Sequence, residues 1–362
     1  MSEAAFERSA AAEQPQVFSG WLLAEMRENR VIYIFLCVFL ASSLLVSALR
    51  GDEFLPVIVV YLERTLRAFA VVCSAVIAFV GIRVLIRGSN RPTYEIGRTL
   101  LEIASNGRLT RLMFSFLVLA LFMGSFLYNK TLIPVIRPFD WDETFVAWDR
   151  ALFGGYQPWE WLHPILGYPA VTIVLDYLYS AWVPLVFIVW AWVAVSPAVA
   201  PDLRRQCWLA VLLAWTGIGI GMAVVFSSAG PCFLPELFPD LAAPYSGLNA
   251  YLAGVTESFP LSSTMSKAFL WNSYTDVVAE PGGISAMPSM HNAQAVLFAL
   301  AGFRVSRRLG VVLSLYAMLI FLGSIHLAWH YAVDGIVGAI AAVAVWHIAG
   351  LASRSRPEKA IR

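Results

Sequence analysis

The sequence predicts an all-α, polytopic membrane helix bundle, and three observations carry that expectation. Of 362 residues, 59% are hydrophobic and only 14% are charged, where soluble domains average about 25% charged. Apolar runs of the length needed to span a bilayer, about 20 residues each, recur along most of the chain. Charge, Pro and Gly bound those runs.

Taken in order, the chain opens with a polar, Ala/Glu/Ser-rich stretch, residues 1–30, without the apolar core of a cleaved signal peptide. It reads as a cytoplasmic tail. Eight candidate spans follow: Val31–Leu49, Ala68–Ile86, Leu112–Tyr128, Val171–Val195, Cys207–Phe226, Pro288–Phe303, Gly310–His326 and Tyr331–Leu351. A short polar tail, 353–362, closes the chain. No internal repeat is visible.

An even span count puts both termini on one side, and Lys and Arg choose the side. The terminus side carries 18 of them and the other side 7. Both termini are therefore expected in the cytoplasm. Two long segments face outward, about 129–170 and 227–287. The first is aromatic and broken by Gly and Pro (Asp140-Trp141-Asp142, Gly154-Gly155, Pro158-Trp159-Glu160-Trp161) and predicts interfacial helices. The second, rich in Phe, Leu, Pro and Trp, predicts an ordered functional loop.

Composition also excludes. A net charge of +1 without a basic patch leaves no footprint for nucleic acid. Cys37, Cys73 and Cys207 lie in apolar runs and Cys232 stands alone in a loop, giving neither a disulfide framework nor a zinc pattern. The basic residues are 22 Arg and three Lys, a compositional pointer to a GC-rich bacterial source and so to a bacterial inner membrane.

The chemistry gathers in the last third. Pro288-Ser289-Met290-His291 opens one span, and His326-Leu327-Ala328-Trp329-His330 with Asp334 opens another. Polar side chains at membrane depth are costly and mark function. His330 and Asp334 share a helix face, where the carboxylate can orient the imidazole. A helix N-terminus beside His291 favours a phosphate. His163 and His347 read as packing or headgroup contacts. Asp176, in the fourth span, reads as a buried partner for a hydroxyl or basic group, or as an interfacial residue.

These motifs resemble the type 2 phosphatidic acid phosphatase superfamily. Pro288-Ser289-Met290-His291 is similar to its Pro-Ser-Gly-His motif, and His330-x-x-x-Asp334 to the end of its third motif. Lys130 followed by Arg137-Pro138 fits the spacing of its first. The text around His291 and His330 is most similar to the inositolphosphotransferase-like branch, which includes inositol phosphorylceramide synthases. Ser228-Ala229-Gly230-Pro231-Cys232 resembles a Gly-Pro element of that branch, and reads equally as a helix-ending turn.

The resemblance, covering about Leu112 to Leu351, implies two extra N-terminal helices and a cytoplasmic linker (31–110) and a six-helix catalytic domain (111–352). It implies catalytic roles for His291, His330 and Asp334. Substrate-binding roles fall to Lys130, Arg137, Ser289 and His326. The reaction needs no metal or cofactor, and the partners are a phospholipid donor and a lipid acceptor, met on the periplasmic or outer face. Two departures matter. Met290 replaces a glycine, and Gly323 and Ser324 stand where the third motif begins Ser-Arg. The missing arginine favours a singly charged phosphodiester over a phosphate monoester. Moving a phosphorylated, phosphoinositol-like head group between lipids is therefore the expectation. Rival readings are a phosphatase acting on phosphatidic acid or a prenyl diphosphate, a polytopic glycosyltransferase using Asp140 and Asp142 as a metal-binding Asp-x-Asp, and a transporter.

Overall fold

Hydrocarbon offers the backbone no hydrogen-bond partner, so each spanning segment must satisfy its own amides as a helix. The computed structural model describes Gly20, Leu23 and residues 25–105, 107–275 and 281–353; among these there is no strand. The tail expectations for most of 1–30 and for 354–362 fall outside the described residues.

All eight predicted spans are helical. They are α1 (Arg30–Arg50), α2 (Leu55–Ile86), α4 (Arg108–Thr131), the pair α7 (Pro169–Ser180) and α8 (Trp182–Val195), α9 (Pro201–Leu213), α12 (Met290–Val305), α13 (Arg307–His326) and α14 (Ala332–Ser353). Among the described residues seven stretches are long and apolar enough to cross a membrane; α12, at 16 residues, is shorter. Three boundaries differ from the sequence reading. Helix α2 starts at Leu55, so Arg64 and Arg67 lie within it, Arg67 pairing with Glu63 one turn earlier. The fourth span breaks at Ala181 into α7 and α8. The fifth continues from α9 through a π-helical stretch, Ala214–Met222, containing three glycines. Wide turns of this kind often occur at functional sites.

The chain divides into two compact units. One comprises residues up to Ser125 with Phe187–Pro197. Here α2 lies so close to α4 that a Cβ on Gly124 would stand 3.3 Å from the Ile58 Cα. Leu112, Phe116 and Ala191 form a buried cluster with Phe69 and Val72. A short amphipathic helix, α3 (Pro92–Ser105), packs on α2 and pairs Arg98 with Glu102.

The other unit comprises Phe126–Val186 and Ala198–Arg362. Helices α12 and α13 form a tight hairpin that pins Gly302 against Gly310. Helix α14 packs against α9 and α12. A Cβ on its Gly338 would reach 2.6 Å from the Ser289 carbonyl, and one on Gly335 3.1 Å from Asn292 Nδ2. Small residues allow such approach between membrane helices. They set the start of α12 directly against the first turns of α14. The first long segment between spans is largely helical, as predicted, with α5 (Asp142–Leu152) and α6 (Pro158–Leu166); the second, expected as an ordered loop, also carries helices, α10 (Ser246–Ser258) and α11 (Ser262–Tyr274).

Candidate active site

Ser289 is the N-cap of α12. Its hydroxyl accepts from the Asn292 amide at 3.4 Å and from Asn292 Nδ2 at 3.0 Å. A side-chain oxygen there satisfies an amide that the helix leaves free. Pro288 precedes the cap rather than entering the first turn, and His291 falls in that turn. The Ser289 amide donates to the Asp334 carbonyl at 3.1 Å, joining the two motifs through their backbones.

His330 is held by the tight turn that ends α13. The Ser324 carbonyl accepts both the Trp329 amide at 2.9 Å and the His330 amide at 3.0 Å, while Ala328 takes a left-handed φ of 60°. His330 Nδ1 lies 3.2 Å from Asp334 Oδ2, which also accepts the Tyr331 amide at 3.1 Å. Asp334 is fully buried, and burial leaves its charge few other partners. The His330 imidazole is pushed down to about 3, first by burial and then by the Lys130 charge. At neutral pH the ring is therefore uncharged.

The structure brings the predicted triad together. The His291 and His330 rings are 6.1 Å apart, centroid to centroid. His291 stacks on Tyr179 at 4.9 Å and on Trp182 at 4.2 Å. Lys130 packs on Gly283 and lies near enough for its charge to act on His330. Arg137 is turned elsewhere. Its guanidinium pairs with Asp140 at 2.9 Å and donates to the Val225 carbonyl at 2.7 Å. His326 is buried at the end of α13. Its Nε2 lies 2.9 Å from Thr172 Oγ1, which in turn meets the Tyr251 hydroxyl at 2.8 Å. Ser324, in the place of the motif arginine, is fully buried and accepts from Asn292 Nδ2 at 3.3 Å. Met290 directs its side chain toward Gly219 of the π-helical stretch, where a Cβ would stand 3.2 Å from the Met290 sulfur.

Three carboxylates missed or misread from sequence brace this end of the molecule. Asp142 accepts the Ala229 amide at 2.8 Å, the Gly230 amide at 2.9 Å and the Tyr331 hydroxyl at 2.7 Å. Both its oxygens are therefore engaged, which argues against a metal-binding role for Asp140-Trp141-Asp142. Asp149 accepts the first amides of α14, Ala332 at 2.7 Å and Val333 at 3.0 Å. Asp176 does the same for α11 through Ser262 and Ser263, so its partners are backbone amides, not a hydroxyl or basic side chain. Carboxylates complement the positive ends of helices.

The Ser228–Cys232 element lies inside this brace. Ser228 accepts the Ala286 and Met287 amides, through its carbonyl at 2.9 Å and its hydroxyl at 3.1 Å. Gly230 has a φ of 94°, and a Cβ there would stand 2.9 Å from both the Ala286 Cβ and the Trp329 carbonyl. The segment thus wedges between the strands of chain that lead into His291 and His330.

Residues 143–348, more than half of the chain, match the sequence profile of the PAP2 superfamily. The chain belongs to the PAP2 superfamily. The match includes His291, His330 and Asp334 and begins beyond Lys130 and Arg137. No curated protein and no solved structure matches the chain. Members of this superfamily are generally phosphatases and phosphotransferases, and membership with an apolar helix bundle supports a membrane-embedded lipid enzyme.

Proposed function

We propose that this PAP2 protein transfers a phosphorylated head group, phosphoinositol-like, from a phospholipid to a second lipid through a phosphohistidine intermediate. The observation that carries the reading is the pairing of a neutral, Asp334-backed His330 with His291 across 6.1 Å, with Ser324 where an arginine would serve a dianionic phosphate.

Because Nδ1 faces Asp334, Nε2 of His330 is the attacking atom. It forms a P–N bond as the donor lipid's P–O bond breaks. Protonated His291 gives its proton to the departing lipid alkoxide, and Asp334 stabilises the positive charge gained by the His330 ring. Neutral His291 then takes the proton of the acceptor hydroxyl, whose oxygen attacks phosphorus and frees His330. Acid–base help of this kind is typically worth about 10²–10⁴-fold, and the covalent intermediate divides one displacement into two. Lys130 holds non-bridging oxygens, Arg137 serves as a second, more exposed cation, and Ser289 and His326 complete the binding set. No metal takes part. The positive-inside count favours a site on the outer face.

The test is product analysis. Purified protein is incubated with head-group-labelled phosphatidylinositol, with and without ceramide or diacylglycerol. Label appearing in the added lipid supports transfer. Release of free phosphate from phosphatidic acid or a prenyl diphosphate, with no label transferred, would replace this reading with the phosphatase.

A further inference from the structure

Two buried hydrogen-bond donors beside His291 have no partner. Tyr179 is 4% exposed and Trp182 6%, yet among the described residues neither Tyr179 Oη nor Trp182 Nε1 meets an acceptor. Three other buried donors of the same kinds in this unit are satisfied. Trp215 Nε1 donates to Gln294 at 2.8 Å, the Tyr331 hydroxyl to Asp142 at 2.7 Å, and the Tyr245 hydroxyl to Gln157 at 2.9 Å. Orphaned buried polar atoms are rare and cost stability, so two on one imidazole ask for a ligand.

Their placement names its chemistry. The two residues flank the Ala181 break, three apart, and both rings lie on His291. The Tyr179 ring also covers Gly323, beside Ser324, where a Cβ would stand 3.1 Å from it. An indole N–H can only donate, and a phenol beside it readily donates. Their common partner is therefore an acceptor. In a dry site such neutral donors are strong and need no reorganisation.

We propose that Tyr179 Oη–H and Trp182 Nε1–H bind the non-bridging oxygens of the substrate's phosphodiester at His291, supplying with neutral donors what a guanidinium would supply at position 324. The inference rests on the proposed reading that His291 and His330 flank the phosphorus.

The test uses the full chain purified in detergent and orthovanadate, a tetrahedral oxyanion able to take an imidazole as fifth ligand. Calorimetric affinity and Tm are measured for wild type, Tyr179→Phe and Trp182→Phe. Each variant keeps a ring on His291. Loss of a donor to an anion should weaken vanadate binding about tenfold or more. For Tyr179→Phe, Tm should hold or rise, because an unsatisfied donor has been removed, whereas loss of a purely structural hydroxyl would lower it; Trp182→Phe also leaves a cavity, so its Tm serves only to show that it is folded. Wild-type binding with both variants unchanged would overturn this proposal alone. A wild-type chain that binds no orthovanadate would remove the phosphoryl-handling reading and this proposal with it.

Discussion

His330 is an uncharged imidazole fixed at one nitrogen by a carboxylate that is itself fixed by the Tyr331 amide. That arrangement predicts unequal costs. His330→Ala and His291→Ala should each abolish measurable head-group turnover, and Asp334→Asn should cost about 10³–10⁴-fold by holding the wrong tautomer. Melting profiles in detergent would check that each remains folded. Lys130→Met should fall far below wild type, while Arg137→Gln, whose guanidinium is already paired with Asp140, should lose less than about tenfold. Equal losses in the two would sink that ranking. That His291, His330 and Asp334 come together was legible because each sits in a short motif. Tyr179 and Trp182 were not. They read as ordinary aromatic residues of a span, and only the fold lays them on a histidine more than a hundred positions away.

Among the elements, helix starts organise the site. Asp149 caps α14 and Asp176 caps α11, while Asp142 holds the turn at Gly230. Burial, opposed by the Val333 and Ala332 amides, raises Asp149 to about 7 from an ordinary 3.8. The folded chain therefore binds this proton more tightly than the unfolded chain. Its contribution to stability is complete below about pH 4 and is lost as pH rises towards 7. Asp149→Asn mimics the neutral acid, with one carbonyl acceptor, so it should lie close to wild type in stability below about pH 4. It should also remove that part of the pH dependence, measurable as a flatter Tm between pH 4 and 8. A parallel Tm profile in the variant would contradict the assignment.

Gly230→Ala makes a second prediction at this scale. A left-handed φ and two contacts at 2.9 Å should cost about 1–3 kcal/mol and displace both histidine segments. Activity should fall more than stability. The existence of all eight helices was legible from apolar periodicity and length. The break at Ala181 and the π-helical turns were not, because uninterrupted apolar sequence looks the same whether the helix runs straight or changes pitch. These carboxylate caps were illegible for another reason: each joins residues 86 or more positions apart.

At the scale of the molecule, the bundle and the distribution of Lys and Arg make a topological claim. We propose on that basis that both termini lie in the cytoplasm and the histidines open outward. A cysteine at exposed Glu257 in α10, in a chain whose four native cysteines are replaced, should react with a membrane-impermeant maleimide applied to intact cells. Labelling only after lysis would reverse the orientation. The proposed side rests on charge, because loops reveal their compartment by composition. Substrate was less legible, because a head group and an acceptor are chosen by the three-dimensional placement of polar groups, which sequence does not give.

The central claim is a covalent intermediate on His330. Purified protein incubated with labelled phosphatidylinositol, quenched in alkali and digested, should yield the peptide containing His330 with the head-group phosphate attached through an acid-labile P–N bond. His330→Ala should show neither adduct nor turnover. Wild-type turnover by His330→Ala would contradict the account.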